Sequence, residues 1–330
     1  MGRVGATVGA TGEAEILRRI LSRLPASAAV VGPGDDAAVI AAPDGRVVAT
    51  TDTLVHGPDF RLAWSTPFQL GWKAAAVNLA DVAAMGARPT ALLVALALPD
   101  ETPAAFVEGL ADGLAAACAE LAPGCAVEGG DLTVSDTLTI AVTALGSLDG
   151  RDPVRRSGAR PGDEVRVIGD LGIAARGLAV LFDRFSGPGG EPLPVTAAAL
   201  GALAPDAAHA VSRQLAPRPP VAAGADAAAA GATAMMDVSD GLALDATRMA
   251  QASGVTLDLE RSTLGEDAAA ALTGGEDHAL LLTVPPGTTS AGRRIGVVRE
   301  RGAAALTVDG VAYERRGGWD PYRDWDAGRG

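Results

Sequence analysis

Short apolar runs, several ending on an aspartate or in a glycine turn, alternate with helical segments along most of this chain. Residues 90–98 (TALLVALAL) read as a buried strand, and 137–146, 164–168, 232–236, 255–259 and 279–284 read as further strands. Between them, 103–121, 172–184, 221–230 and 240–252 carry helical spacing. Strands of that length separated by helices specify an α/β fold. A carboxylate beside buried strand residues is costly unless something positive meets it, so these aspartates need an explanation.

The 330 residues suffice for two domains. The stretch 150–162 (GRDPVRRSGARPG), rich in Gly, Pro and Arg, marks a boundary between residues 1–150 and 151–330. In the first half, residues 1–10 read as a flexible lead, and Thr11 caps a helix through Leu24. Strands are expected near 37–41 and 46–51. Ser65 or Thr66 caps a helix to about Met85, with Pro67 in its first turn and Gly86 as its stop. Gly129–Asp131 reads as a turn. In the second half, GDLG at 169–172 is a turn into a helix, and the alanine-rich 197–210 is helical.

Forty acidic residues against 27 basic ones give a net charge of −13. That argues against a general nucleic-acid binder and against docking on an anionic membrane. Lys73 is the only lysine, an arginine bias that fits a GC-rich genome. Cys118 and Cys125, seven residues apart, form neither a zinc pattern nor a disulfide scaffold. They read as reduced packing residues in a cytoplasmic protein. No apolar run is long enough to span a membrane, and the N-terminus carries neither a signal-peptide pattern nor a myristoylation pattern.

No Walker A loop, G-x-S-x-G or H-E-x-x-H is present. His209 and His278 sit in apolar contexts and read as packing. The candidates for chemistry are Asp35 and Asp36 (GPGDDAAVI), Asp52 (ATTDTL), Asp131 (EGGDLT), and Asp237 and Asp240 (MMDVSDGL). Any one of them could be turn chemistry or a helix cap. Together, in segments poor in cations, they suit a hard metal such as Mg²⁺ shared with phosphates. Asp81 continues the apolar stripe of Leu70, Ala74 and Val77. It meets a metal, or a charged partner such as Lys73, or else the stripe ends at the surface there. In MMDVSDGL, Asp240 or Ser239 can cap the following helix, whereas Asp237 at the strand end is the better metal candidate.

Eight motifs then fall in one order: GDDAAV, TTDTLV, WKAAAVNLADVAAMGARP, GGDLT, RSGARPGD, DVSDGL, GGEDHALL and GWDPY. With them, residues 12–322 resemble bacterial thiamine-monophosphate kinase. NLADVAAMGARP is shared with the wider superfamily of aminoimidazole ribonucleotide synthetase, selenophosphate synthetase and the hydrogenase-maturation dehydratase. GGED with a terminal GWD points to the thiamine branch. The resemblance implies a two-domain α/β fold whose N-terminal sheet pairs across a homodimer. It also implies ATP over a cluster of Mg²⁺ ions and thiamine monophosphate as acceptor. It assigns Asp35, Asp36, Thr50, Thr51, Asp52, Asp81, Asp131, Asp237 and Asp240 to metals. Gly130, Asp131, Arg156 and Ser239 fall to ATP, and Asp59, Glu276 and Trp319 to the thiamine substrate. Glu276 would accept from the substrate amine or pair with its charge, and Trp319 would stack on a ring or pack on the domain. Asp59 departs from the histidine of many relatives, and Ile173 from an expected aspartate. Rival readings are another ATP-dependent enzyme of the superfamily, a catalytically idle nucleotide-binding module, or a structural metal-binding dimer.

Overall fold

The computed structural model describes residues 6–27, 29–33, 37–289, 292–315 and 317–318. It opens with helices α1 (Val8–Thr11) and α2 (Glu13–Leu21). The expected flexible lead is therefore partly helical, and Gly12 rather than Thr11 stands at the start of the longer helix. Near 37–41 only an isolated bridge forms, Val31 to Val39. Strand β1 (Val48–Val55) is followed by α3 (Pro67–Ala84), β2 (Arg88–Leu98), α4 (Ala104–Leu121), β3 (Ala126–Val134) and β4 (Thr139–Ser147). These four strands make one sheet in the order β1-β4-β2-β3, antiparallel except for the β2–β3 pair.

The second sheet gathers strands from the rest of the chain. β5 (Glu164–Ile168) leads into α5 (Ile173–Arg184). The alanine-rich stretch folds as two helices, α6 (Ala197–Gly201) and α7 (Pro205–Leu215), because Pro205 starts a new helix. Then come α8 (Val221–Ala229), β6 (Ala234–Val238), α9 (Leu242–Ser253) and β7 (Thr256–Leu259). The chain continues through α10 (Ala268–Thr273), β8 (Ala279–Val284), β9 (Arg293–Arg299), β10 (Leu306–Val308) and β11 (Val311–Ala312). The sheet order is β11-β10-β7-β9-β5-β8-β6. β8, between β5 and β6, and edge strand β6 are buried at every position, as expected of their mostly apolar runs.

Helix α3 ties the two halves together. Thr66 and Gln69 form a reciprocal capping box and Pro67 occupies the first turn. The helix is buried on nearly every side, so its apolar residues form no single stripe. One side meets α4 at backbone contact: a Cβ on Gly71 would lie 2.0 Å from the Leu110 carbonyl oxygen, and one on Gly113 2.0 Å from that of Phe68. Its end packs into a core of Ala84, Val154, Ala227, Met235 and Leu280, which draws on both sides of the 150–162 stretch. No helix among the described residues is long and apolar enough to cross a membrane.

Candidate active site

A cleft of about 200 Å³ opens where β1, the end of α3 and β6 converge. Thr50, Asp81, Arg156 and Asp237 line it, brought together from four separate segments. It shares Val48, Ala49 and Met85 with a wider groove of about 560 Å³ along the start of β1.

Strand alternation decides which residues of TTDTLV reach this place. Thr50 and Asp52 share the face toward α3. The Thr50 hydroxyl donates to Asp81 Oδ2 at 2.8 Å, and the Asp52 N–H donates to Asn78 Oδ1 at 3.0 Å. Asn78 Nδ2 is anchored on the Ala74 carbonyl at 2.9 Å, so α3 positions β1 through a buried amide. Thr51 points to the opposite face, where its hydroxyl donates to the Val142 carbonyl at 3.0 Å. The expectation that Thr51 joins the cluster through its side chain is corrected by this period of two.

The carboxylates crowd one another. Burial, reinforced by the charges of Asp237 and Asp52, pushes Asp81 up to about 7. Burial likewise raises Asp52, with Asp237 and Asp240 adding to the effect. Lys73 does not answer Asp81; its ammonium pairs with Glu276 at 3.1 Å. Asp237, at the end of β6, is 8% exposed, and its Oδ2 lies 3.1 Å from His278 Nδ1. Burial disfavours the imidazolium, but Asp237, Glu276 and Asp81 outweigh it and raise the His278 pKa. His278 is therefore a polar partner at the site, not the packing residue its apolar neighbours suggested. Among the described residues no three His, Cys, Asp or Glu side chains close on a common point. The donors form an open array of hard oxygens, suited to cations that also take phosphate oxygens.

Two loops floor the array. The Glu276 N–H donates to the Ser239 carbonyl at 2.7 Å and the His278 N–H to the Val238 carbonyl at 3.0 Å. A Cβ on Gly275 would sit 2.5 Å from the Ser239 oxygen, which explains the glycine. Glu276 (φ 66°) and His278 (φ 51°) both occupy the left-handed region, a local strain held by these bonds. Between them, Asp277 accepts from the N–H groups of Gly172 and Ala174 (2.8 Å for the latter) and caps α5 from a hundred residues away. Burial pushes its carboxyl up to about 6, against the pull of those two bonds.

Neither Ser239 nor Asp240 caps α9, contrary to expectation. Gly241 stands at the cap without a side-chain bond, and Asp245 reaches back to the Asp240 N–H at 3.1 Å. Arg248 pairs with Asp245 at 2.8 Å and also with Asp240. Burial first, then Asp240 and Asp237, push Asp245 up to about 7.

Gly129–Asp131 is not a turn. It lies within β3, where a Cβ on Gly130 would be 1.9 Å from the Val94 carbonyl oxygen. Gly130 aligns with Val94, Val142 and Asp52 across the sheet. Three strand spacings, about 14 Å, thus separate the edge that bears Asp131 from Asp52. The structure does not bring Asp131, which is exposed, to this cleft. Arg156 is exposed on the cleft rim, its carbonyl accepting from Ser253 Oγ at 2.9 Å. Asp35, Asp36 and Trp319 lie outside the described residues. Gly318 packs where a Cβ would be 2.4 Å from the Asp240 carbonyl oxygen.

A last cluster lies between α3, α7 and the 275–278 loop. Glu276 receives Lys73 Nζ on both oxygens (3.2 and 3.1 Å) and Gln214 Nε2 on one. Burial alone would raise Glu276, but Lys73 and Gln214 prevail and hold it below its ordinary value. Asp59 is within electrostatic reach of both Glu276 and Lys73, and burial raises it. Its Oδ2 accepts from the Val55 N–H at 2.7 Å. Asn78, Gln214, Asp277 and His278 were not singled out as functional from the sequence. Only Asn78 carried a local signal, as a polar residue inside the otherwise apolar run AAAVNLA.

The mixed α/β fold that frames this cleft is shared with a class of known proteins. Residues 34–148 match the family described as AIR synthase related protein, N-terminal domain. A hydrogenase maturation protein, HypE, in complex with ATP shares the fold at TM-score 0.64 and 18% identity. Within that class the likeness is specific. The chain is 40% identical to thiamine-monophosphate kinase of Mycobacterium tuberculosis, over 96% of this chain and 93% of that one. It is 42% identical to that of Corynebacterium glutamicum, over 96% and 95%. Thiamine-monophosphate kinase from Stenotrophomonas maltophilia K279a superposes with TM-score 0.74 at 32% identity, covering 91% of this chain and 96% of that one. AaThiL complexed with AMPPCP and TMP gives 0.70 at 30%, covering 94% and 97%. The chain belongs to the thiamine-monophosphate kinase family.

Proposed function

We propose that this protein transfers the γ-phosphoryl group of ATP to thiamine monophosphate, forming thiamine diphosphate and ADP. The observation that carries the reading is the cleft that joins Thr50, Asp81, Arg156 and Asp237, in a chain 40% identical to such kinases along almost its whole length. The 1–150 segment would bind ATP and metal and form the dimer, and 151–330 would complete the nucleotide and substrate sites.

The attacking group is a phosphate oxygen whose second pKa is about 6, so it is largely ionised at neutral pH. No general base is then needed, and none is assigned. The task left to the protein is to bring two polyanions together and hold them in line. Thr50, Asp52, Asp81, Asp237 and Asp240 would hold Mg²⁺, with Asp35, Asp36 and Asp131 added by family resemblance. Their hydroxyl and carboxylate oxygens, with Asp81 and Asp52 raised by burial first and by neighbouring carboxylates second, fit a hard cation. Bound there, Mg²⁺ supplies charge neutralisation and alignment of the phosphate oxygens. Arg156 adds a fixed cation on the rim. Asn78 and His278 keep Asp52 and Asp237 in place. Incubation with ATP, Mg²⁺ and thiamine monophosphate is expected to yield thiamine diphosphate and ADP in equal amounts, abolished by chelator. Absence of thiamine diphosphate, with Mg-ATP still bound, overturns the acceptor.

A homodimer gives Asp131 a role. It sits on an edge strand, on the side of the sheet away from β1, so a second copy joined through this sheet could deliver its Asp131 to the first copy's cleft. We expect Asp81→Asn and Asp131→Asn, each inactive alone, to regain activity after subunit exchange. Half of random dimers are mixed, with one intact site in two, so about a quarter of wild-type activity should return. No recovery on verified exchange sinks the shared site. The two buried free thiols fit a reducing cytoplasm.

A further inference from the structure

We propose that Lys73 fixes Glu276 as a charge-balanced hydrogen-bond acceptor for the exocyclic amine of the substrate's aminopyrimidine ring, leaving Asp59 to answer the ring cation. This rests on the kinase reading above and deepens it.

The only lysine of the chain is spent on this contact. Its side chain is 5% exposed, and its ammonium lies 3.1–3.2 Å from both Glu276 oxygens. A charge so enclosed is tolerated because it is paired. The pair as a whole is neutral, so it draws a third charge weakly. What remains of Glu276 is directional. A carboxylate offers about four lone-pair sites. Lys73 takes one on each oxygen and Gln214 Nε2 a second on Oε2, which leaves one on Oε1. The Glu276 side chain is 37% exposed, so it has an open side.

The geometry of the surroundings agrees. Gln214 is 5% exposed, and its own carbonyl oxygen is buried without a partner among the described residues. The amide is turned to serve Glu276 at the expense of its other end. The Glu276 backbone is pinned at φ 66° by its bond to Ser239. Asp59 differs in each respect. It forms no ion pair among the described residues and takes one backbone N–H. Burial raises its pKa, as expected of an uncompensated carboxylate, so it gains from meeting a cation. Lys73 touches no substrate atom in this scheme; it is a positioning residue.

The test measures binding to the full-length protein with Mg²⁺ and a non-hydrolysable ATP analogue. Three ligands are compared: thiamine monophosphate, an analogue with oxo in place of the amine, and one with a neutral isosteric ring in place of the thiazolium. Wild type should lose about tenfold in affinity for each analogue. Glu276→Ala should become indifferent to the amine and keep its preference for the cationic ring. Asp59→Asn should show the reverse. Lys73→Met, which leaves Glu276 unbalanced, should sharpen the preference for the charged ring, and Lys73→Arg should restore the wild-type pattern. If Glu276→Ala instead loses ring-charge discrimination and keeps amine discrimination, the proposal is overturned. Should Lys73→Met fail to fold, Glu276→Ala and Asp59→Asn decide alone. A wild-type protein that binds thiamine monophosphate and turns it over while these couplings are inverted refutes this inference only. One that binds none of it refutes the kinase reading.

Discussion

Asp81→Asn lowers kcat by about 10²–10³-fold and, in the same protein freed of metal, raises stability at neutral pH. Both effects have one origin. The Asp81 carboxyl is pushed up to about 7, by burial first and then by Asp237 and Asp52. In the unfolded chain it titrates near 3.9, at about the reference value. The folded protein therefore holds a proton that the unfolded chain releases. Stability contributed at this site is intact below pH 4, falls as pH rises toward 7, and is lost above that. An amide does not ionise, and its Oδ1 still accepts from Thr50. At pH 8 in chelator, the variant should be more stable by ~1–2 kcal/mol after solvent screening. The gain should vanish near pH 4.

Saturating Mg²⁺ is expected to reverse the order, because ligand stabilises whichever protein binds it better. Urea midpoints at pH 4 and pH 8, with chelator and with Mg²⁺, measure this directly. Near-normal turnover, or a pH-independent difference in midpoint, sinks the role given to Asp81.

Much of this site was legible because its segments are locally consistent. The strand end at Asp237 and the helix of Asp81 each place a carboxylate in an apolar run, and Pro67 after Thr66 marks a helix start. The cleft joins Thr50, Asp81, Arg156 and Asp237. Thr51 failed for a reason the sequence does contain, since neighbours on a strand face opposite ways. Gly129–Asp131 failed for one it does not. Gly-Gly-Asp usually signals a turn, but here Gly130 is required by the backbone of β2. Asp81 does line the cleft, but not as the end of a single apolar stripe, because α3 is buried nearly all round. His278 and Asp277 were out of reach. Their partners, Asp237 and the start of α5, lie 41 and more than 100 residues away, and periodicity carries no information at that range.

The largest stability effect is expected from Asp277→Ala. Asp277 is 6% exposed, and its carboxylate receives two backbone N–H groups, from Gly172 and Ala174. The cap position of helix α5 is Gly172, in the left-handed region, and it supplies no side-chain bond. Where relatives lead one to expect an aspartate, Ile173 offers no acceptor. The cap therefore comes entirely from Asp277. Removing it orphans two N–H groups in a buried place, a loss of about 2–3 kcal/mol. Asp277→Asn keeps a single acceptor oxygen and should fall between the two. The damage should not stop at stability. Glu276 and His278 flank Asp277 at positive φ, a conformation that persists only while its surroundings enforce it. Releasing the clamp lets that loop relax, so KM for thiamine monophosphate should rise while residual kcat stays closer to wild type. Urea unfolding and steady-state kinetics on the alanine and asparagine variants separate the two consequences. A stability loss with KM unchanged would confine Asp277 to capping α5. A KM increase as well would mean that the bond starting α5 also shapes the surface on which the substrate lies.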